Sequence, residues 1–152
     1  MAHWLFKTEP DAFSIEDLQK RAPNPEPWDG IRNYQARNLL RDEVAVGDRV
    51  FIYHSSCKEV GIAGIAEVVN AAYADPAQFN PESRYYDPKS TADKPRWFCV
   101  DVQFVEKFPR VIRLAELKAN PALNNMVLLK QGRLSVQPVT AGEAKAIMAM
   151  AS

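Results

Sequence analysis

The chain has 152 residues, of which 19 are basic and 19 acidic, so its formal net charge at pH 7 is zero. This balance excludes binding of nucleic acid through bulk positive charge but permits a local basic pocket. A hydrophobic content of 47% is enough for a buried core, and we expect one domain over residues 1–152. Two cysteines, a start unlike a signal peptide and the lack of a long apolar run predict a soluble, cytoplasmic protein without membrane contact.

The first part of the chain predicts short elements of mixed type. In chain order we expect a strand over residues 3–7, a short helix over 14–18, a proline-rich extended loop over 23–27, a helix over 34–41, and a hairpin of strands 49–54 and 60–69. Ser14 and Asn33 are the predicted N-caps of the two helices. Gly61 and Gly64 predict a bulge or a close backbone approach, for which a ligand is one possible cause.

The second part predicts a long loop over residues 70–95, followed by the clearest strand, over 97–108. Alternation in this strand places Trp97 and Cys99 on its more polar face. Further expected elements are a strand over 111–114, a helical turn over 115–118, a strand over 134–139 and a last helix, capped by Thr140, with Ala144, Ile147 and Met148 facing inward. Uneven strands with interspersed helices favour an α+β fold around a small, bent sheet or barrel.

Candidate binding groups are concentrated in residues 28–38. Asp29-Gly30 predicts a tight turn, and Asn33 then caps the helix that begins at Tyr34, where free N–H groups favour an anion. The segment supplies rings that stack on a planar ligand, amides that bind its hydrogen-bonding edge and arginines that bind an anion: Trp28 and Tyr34; Asn33, Gln35 and Asn38; Arg32 and Arg37. On the polar face of the helix, Arg37 and Arg41 are expected either to face water or to contact phosphates.

Several motifs, in order over nearly the whole chain, resemble those of EVE-domain proteins; they lie at residues 4–10, 28–38, 51–55, 61–66, 86–88 and 133–136. The resemblance implies an α+β, PUA-like pseudo-barrel of short, mostly antiparallel strands with flanking helices, related to YTH domains. It also implies a reader of nucleic acid, DNA or RNA, that accommodates a modified base, with modified cytosine favoured, in a partly aromatic pocket. Thr8 stands where family members carry serine and keeps the hydroxyl group.

The resemblance further implies a set of ligand-binding residues. Trp28 and an aromatic partner would sandwich the base, the partner being Tyr53 or Trp97, with Tyr34 as the third candidate. Other contacts would come from Lys7, Thr8, Arg32, Asn33, His54 and Ser55, with Leu134 and Ser135 closing the pocket. Stacking contributes ~1–3 kcal/mol and apolar contact with a methyl group only ~1 kcal/mol, so we expect modest selectivity. We also expect Trp28→Ala to weaken ligand binding far more than it lowers the melting temperature.

Each candidate also has a purely structural interpretation. Lys7 is explained equally by solvation at a strand end, Tyr53 and Trp97 by packing, and His54 by a satisfied hydrogen bond. Ser55 suits a turn. Basic residues of the long loop either contact phosphates or are simply solvated; they are Arg84, Lys89, Lys94 and Arg96.

Two alternative functions stay open. The first is a PUA-like module that binds modified RNA, because PUA-like folds commonly handle RNA. The second is a small hydrolase or metal enzyme that uses His54 and Cys57. No elbow motif, oxyanion signature or familiar zinc spacing accompanies these two residues, so we expect neither catalysis nor a cofactor.

Overall fold

The computed structural model describes residues 1–151, which form one six-stranded sheet with helices packed against both of its faces. The elements in chain order are β1 (His3–Thr8), α1 (Ile15–Arg21), β2 (Glu26–Pro27), α2 (Tyr34–Asp42), β3 (Arg49–His54), β4 (Gly61–Ala74), a 3₁₀ turn (Pro76–Phe79), β5 (Phe98–Arg113), α3 (Leu114–Ala119), a 3₁₀ turn (Pro121–Leu123), α4 (Val127–Lys130), β6 (Val136–Val139) and α5 (Ala141–Met150). No helix among residues 1–151 is long and apolar enough to cross a membrane.

The strands lie in the order β2-β5-β4-β3-β1-β6. Neighbouring strands are antiparallel except β1 and β3, which run parallel with Thr8 opposite His54. Because β1 lies inside the sheet, it is buried on both faces, with Trp4 and Phe6 on one and Leu5 on the other. The carboxyl ends of β1 and β3 therefore meet at one edge of the sheet, next to the loop that leads into α1.

Two long strands give the sheet its bend. β4 has 14 residues and β5 has 16, so the expectation of short strands is wrong for this pair, and their pairing contains several register shifts. At Gly64 a Cβ atom would lie 2.4 Å from the carbonyl oxygen of Glu106 and 2.8 Å from the side chain of Ile15. The predicted close backbone approach at Gly64 is therefore confirmed, and a neighbouring strand and α1 cause it.

The core is divided by the sheet into two clusters. One contains Trp4, Phe6 and Trp28 together with α1 and the apolar side of α2. The other contains Leu5 and Tyr53 together with buried residues of α3, α4 and α5. Trp28 thus belongs to the cluster on the α1–α2 side of the sheet, which places the 28–38 segment there.

The expected α+β class is confirmed, whereas some details are wrong. The loop predicted over residues 70–95 is shorter, since β4 continues to Ala74, and the separate strand expected over 111–114 is the end of β5. Trp97 and Cys99 are buried, at 7% and 0% exposed, and do not lie on a polar face. The segment after β4 folds back over this part of β5, where the Gln78 side chain accepts a hydrogen bond from the N–H of Trp97 and donates one to its carbonyl.

The last helix also differs from expectation at one position. Ala144 and Ile147 are buried as predicted, but Met148 is 42% exposed. It lies about 100° further round the helix than Ile147 and so falls outside the stripe that contacts the core. The three predicted N-caps are confirmed, because the side-chain oxygens of Ser14, Asn33 and Thr140 each accept a hydrogen bond from the first turn of the following helix.

Candidate functional site

An open cavity of about 590 Å³ lies beside Trp28, at the edge of the sheet where β1 ends. Its walls come from the end of β1, the loop that follows it, the end of α1, the 26–32 segment, the loop between β4 and β5, and the turn before β6. The lining residues are Lys7, Thr8, Glu9, Ala12, Phe13, Arg21, Glu26, Pro27, Trp28, Asp29, Gly30, Ile31, Arg32, Arg84, Tyr85 and Ser135. The cavity thus combines aromatic rings, cations and carboxylates.

Trp28 serves both the core and the cavity. It is 7% exposed, its ring centroid lies 5.7 Å from that of Phe6 and 6.1 Å from that of Phe13, and its backbone N–H donates to the carbonyl of Val100 at 2.8 Å. Replacing a buried tryptophan by alanine costs ~3–5 kcal/mol, more than stacking on one ligand ring contributes. The expectation that Trp28→Ala would affect binding far more than stability therefore does not follow from this packing.

Tyr85 forms another aromatic wall of the cavity, against Gly30. Gly30 has a φ of 80°, and a Cβ atom there would lie 2.6 Å from the Tyr85 ring. Glycine is thus required at this position for two reasons, because the backbone is left-handed and because the Tyr85 ring approaches it closely. The guanidinium groups of Arg32 and Arg84 lie 5.4 Å and 5.0 Å from the Tyr85 ring centroid, within cation–π range.

A buried carboxylate fixes the loop that carries Trp28. Asp75, which is 0% exposed, accepts hydrogen bonds from the backbone N–H of Gly30 at 2.9 Å and from Arg32 at 3.0 Å through one oxygen. Its other oxygen accepts from the N–H of Ala77 at 2.8 Å. Arg32 also donates to the carbonyl of Tyr85, at 2.9 and 3.1 Å. Asp75 and Arg32 therefore hold the loop after Trp28 against the segment that carries Tyr85.

Three predicted residues lie on the cavity wall near the end of β1. They are Lys7, Thr8 and Ser135, and the carbonyl of Ser135 accepts a hydrogen bond from the N–H of Lys7. The ammonium of Lys7 donates to the carbonyl of Gly132 and lies 5.4 Å from the ring centroid of Tyr53, and burial lowers its pKa. The Thr8 hydroxyl donates to the carbonyl of Phe13 at 2.7 Å. The polar groups of Thr8 and Lys7 are therefore both already engaged by other parts of the protein.

Two carboxylates on the cavity wall have raised pKa values. Loss of hydration raises the pKa of Asp29, and the charge of Asp75 raises it further. Loss of hydration also raises the pKa of Glu26, although Arg21, at 3.1 Å, acts in the opposite direction. A carboxylate accepts hydrogen bonds from amino groups, so these side chains suit a ligand that carries a donor on its edge.

The three aromatic residues expected to face Trp28 across a ligand lie away from the cavity wall. Tyr53 is buried in the second core cluster, and Trp97 donates through its indole N–H to Asp87 at 2.8 Å. Tyr34 is 51% exposed and stacks on Trp97, with 4.8 Å between ring centroids. The aromatic residues that do share the cavity with Trp28 are Phe13 and Tyr85.

Four other candidates are not part of the cavity wall, and each contacts another part of the protein. The Asn33 side chain caps α2 by accepting from the N–H of Ala36, and Leu134 is buried in the core. The backbone N–H of Ser55 donates a hydrogen bond to the carbonyl of Thr8. His54 is buried, and its Nε2 accepts from the N–H of Ile15 at 3.1 Å.

The groups considered for an enzyme lie elsewhere. His54 and Cys57 line a separate cavity of about 490 Å³, and burial lowers the pKa of His54. Among residues 1–151, no cluster of three or more histidine, cysteine, aspartate or glutamate side chains is placed to hold a metal ion. The two arginines considered for phosphate contacts lie on α2, where Arg41 pairs with Asp42 and Arg37 donates to the carbonyl of Arg96.

A bent sheet with an aromatic and basic cavity at its edge is typical of a small module that binds a planar, anionic ligand. The family model described as EVE domain matches residues 2–150, and the chain belongs to the EVE domain family. It is similar to human thymocyte nuclear protein 1, with 46% identity over 93% of this chain and 70% of the human protein.

Solved structures agree with this assignment. The crystal structure of human THYN1 protein in complex with DNA containing 5-methylcytosine has 44% identity and a TM-score of 0.95 over 100% of this chain and 98% of that one. A YTH domain from Zygosaccharomyces rouxii, in complex with N6-methyladenosine RNA, has 16% identity and a TM-score of 0.56 over 98% of this chain and 85% of that one. The latter likeness concerns the fold alone. The expected family and the expected PUA-like fold are confirmed, and the fold is similar to that of a YTH domain.

The sequence interpretation missed Asp75, Tyr85 and Phe13. Tyr85 and Asp75 lie in the segment that was interpreted as a long loop, and Phe13 directly precedes the N-cap of α1. One local signal was present at Asp75, since aspartate followed by proline is typical of an N-cap, and its side chain does cap the 3₁₀ turn. Its contact with Gly30 is non-local, so no sequence pattern indicated it.

Proposed function

We propose that this chain is a non-catalytic nucleic-acid-binding module that accommodates one modified base, with modified cytosine favoured, in the cavity beside Trp28. The observation that carries the proposal is the combination of aromatic side chains, cations and partly desolvated carboxylates around one cavity of about 590 Å³. The human relative crystallised with DNA containing 5-methylcytosine supports it. Modified RNA is the alternative ligand, to be compared in the same assay because a 2′-hydroxyl contact would favour RNA.

In this proposal the base stacks between Trp28 and Tyr85. Tyr85 replaces Tyr53, Trp97 and Tyr34 as the proposed aromatic partner, because Tyr85 lines the cavity and the others lie away from it. Stacking of one base on an aromatic ring contributes ~1–3 kcal/mol and does not depend on which base is bound. The aromatic walls therefore supply affinity, and selectivity has to come from groups at the edge of the base.

Asp29 is the proposed edge-reading residue. It lines the cavity beside Trp28, and the ionised side chain can accept a hydrogen bond from the exocyclic amino group of cytosine. Thymine and uracil present a carbonyl oxygen at that position, which would face the carboxylate unfavourably. Arg32 and Arg84 provide positive charge at the cavity for the adjoining phosphates.

The residues of the hydrolase or metal-enzyme alternative lie outside the proposed binding cavity. They are His54 and Cys57, which line a different cavity, and the Nε2 atom of His54 already accepts a hydrogen bond from Ile15. A bound zinc ion in the purified protein, or an unusually reactive Cys57 thiol, would revive that alternative.

The test is a titration with matched oligonucleotides that contain 5-methylcytosine, 5-hydroxymethylcytosine or cytosine at one position, as DNA and as RNA. We expect the methylated ligand to bind up to ~5-fold more tightly than the unmodified one, which corresponds to ~1 kcal/mol of apolar contact. Equal affinity for all three bases would remove the claim of modified-base reading.

Two neighbouring tyrosines provide a matched pair of variants. Tyr85 lines the cavity, whereas Tyr86 is 42% exposed and is not part of the cavity wall. Tyr85→Ala should weaken oligonucleotide binding by roughly 5- to 150-fold, the equivalent of losing one stacking contact, and Tyr86→Ala should leave it unchanged. Equal effects of the two substitutions would contradict the proposed position of the base.

A cytoplasmic location and a single domain over residues 1–152 stay predictions. Both cysteines, Cys57 and Cys99, are free thiols, as is usual in a reducing compartment, although the mammalian relatives are named nuclear proteins. The family match covers residues 2–150.

A further inference from the structure

A continuous series of stacked rings and guanidinium groups leads from the cavity to the outer face of α2. Arg32 lies 5.4 Å from the ring centroids of both Tyr85 and Trp97. Trp97 stacks on Tyr34 with 4.8 Å between centroids and an interplanar angle of 26°. Arg37 lies 4.9 Å from the Tyr34 ring centroid. We call this series the ladder; its members in spatial order are Arg84, Tyr85, Arg32, Trp97, Tyr34 and Arg37.

The two ends of the ladder differ in their surroundings. At the inner end Arg84, Tyr85 and Arg32 line the cavity. At the outer end Tyr34 is 51% exposed, although its ring is held in place by the stack on Trp97. A rigid aromatic ring that remains half in water contributes little to the core, and such rings are enriched where proteins bind partners.

The outer end is also positively charged and ordered. Arg37 donates to the carbonyl of Arg96 at 2.6 Å and to the side chain of Asn38 at 2.8 Å, which fixes the plane of its guanidinium group. Neither acceptor is a carboxylate, and Arg37 forms no ion pair among residues 1–151. The first turn of α2 contains no acidic residue either. A planar cation stacked on an exposed ring is thus available to an outside group.

We propose that Tyr34 and Arg37 form a second subsite, which binds a nucleotide flanking the base in the cavity. The flanking base stacks on the face of the Arg37 guanidinium that points away from Tyr34, and its phosphate contacts the edge of that guanidinium, which Tyr34 holds in place. This inference rests on the proposed function and deepens it, because it makes the ligand an unpaired strand of several nucleotides in place of a single base. The guanidinium stacked on the ring presents a flat, cationic surface that matches a planar heterocycle. An acidic peptide carries no such planar group.

The test uses a single-stranded DNA heptanucleotide with 5-methylcytosine at its centre. Each flanking nucleotide is replaced in turn by an abasic residue, and in a further ligand the central base is removed instead. For the unsubstituted protein we expect removal of the base at one flanking position to weaken binding by roughly 5- to 150-fold. Tyr34→Ala should abolish that dependence, whereas Tyr34→Phe, which keeps the ring, should retain it.

Met148→Ala is the matched control, because Met148 is a large exposed side chain on α5, whose buried residues belong to the other core cluster. The subsite is overturned if no flanking position matters, or if Tyr34→Ala keeps the dependence of the unsubstituted protein. A competition with a polyglutamate peptide gives a further outcome. If the peptide displaces the oligonucleotide from the unsubstituted protein but not from Tyr34→Ala, and flanking bases have no effect, the surface binds an acidic protein instead. Insensitivity to removal of the central base would refute the cavity proposal separately, and failure to bind any oligonucleotide would overturn both.

Discussion

Replacement of Asp75 by asparagine should destabilise the protein strongly, although it changes no aromatic residue of the candidate site. The Asp75 carboxylate has no exposed surface and accepts three hydrogen bonds, from Gly30, Arg32 and Ala77. An asparagine side chain has the same shape but one acceptor fewer. Whichever way its amide is turned, the NH₂ group faces at least one N–H donor, and Arg32 loses its buried counter-charge.

The structure sets the expected magnitude. Removing one partner of a fully buried ion pair costs ~3–5 kcal/mol. The side chain of Arg32 is 21% exposed, so water can compensate part of the loss. We therefore expect Asp75→Asn to lower the free energy of unfolding by ~2–3 kcal/mol, which for a chain of this size lowers the melting temperature by ~4–12 °C.

Urea unfolding followed by circular dichroism measures this change as a shift of the midpoint at constant slope. Asp42→Asn is the matched control, because the Asp42 side chain is 52% exposed and pairs with Arg41 on the surface. The control should leave the midpoint nearly unchanged, because water screens an ion pair on the surface. A loss no larger for Asp75→Asn than for the control would refute the role assigned to Asp75 in holding the Trp28 loop.

Three further substitutions test the site and its surroundings. Gly30→Ala forces a Cβ atom against the Tyr85 ring and should weaken oligonucleotide binding, as measured by fluorescence anisotropy; unchanged affinity would show that the ring moves aside freely. Because the pKa of Asp29 is raised, affinity for a cytosine ligand should fall as the pH is lowered toward that pKa. Asp29→Asn should flatten this pH profile, and identical profiles would exclude Asp29 as the edge-reading residue. Burial lowers the pKa of His54 below its ordinary value of 6.5. The unfolded chain therefore takes up the proton at a higher pH than the folded chain does, and the free energy of unfolding should fall as the pH decreases below about 6.5. His54→Gln should reduce that slope, and an equal slope in both proteins would refute the assignment.

The parts of the fold that were predictable depend on interactions between residues close in sequence. Ser14 and Asn33 were identified as N-caps because a cap binds an N–H group two or three residues later, and both hydrogen bonds are present. The burial of Trp97 was not predictable in this way. It depends on Gln78 and Asp87, which reach the strand from a segment with no periodic pattern.

The same distinction applies to the candidate site. Lys7, Thr8 and Trp28 belong to the motifs that resemble the EVE domain, and all three lie on the cavity wall. The motif over residues 86–88 begins one residue after Tyr85. The position of Tyr85 follows from its contact with Gly30, which lies 55 residues earlier in the chain. Residues that join distant segments leave no local pattern, so their roles required the three-dimensional structure.

The most direct test of the central claim is a crystal structure of the protein with a short DNA strand that contains 5-methylcytosine. The account predicts electron density for the methylated base inside the cavity, stacked between Trp28 and Tyr85, with its exocyclic amino group within hydrogen-bond distance of Asp29. A bound strand whose methylated base lies outside this cavity, with the space between the two rings unfilled, would contradict it.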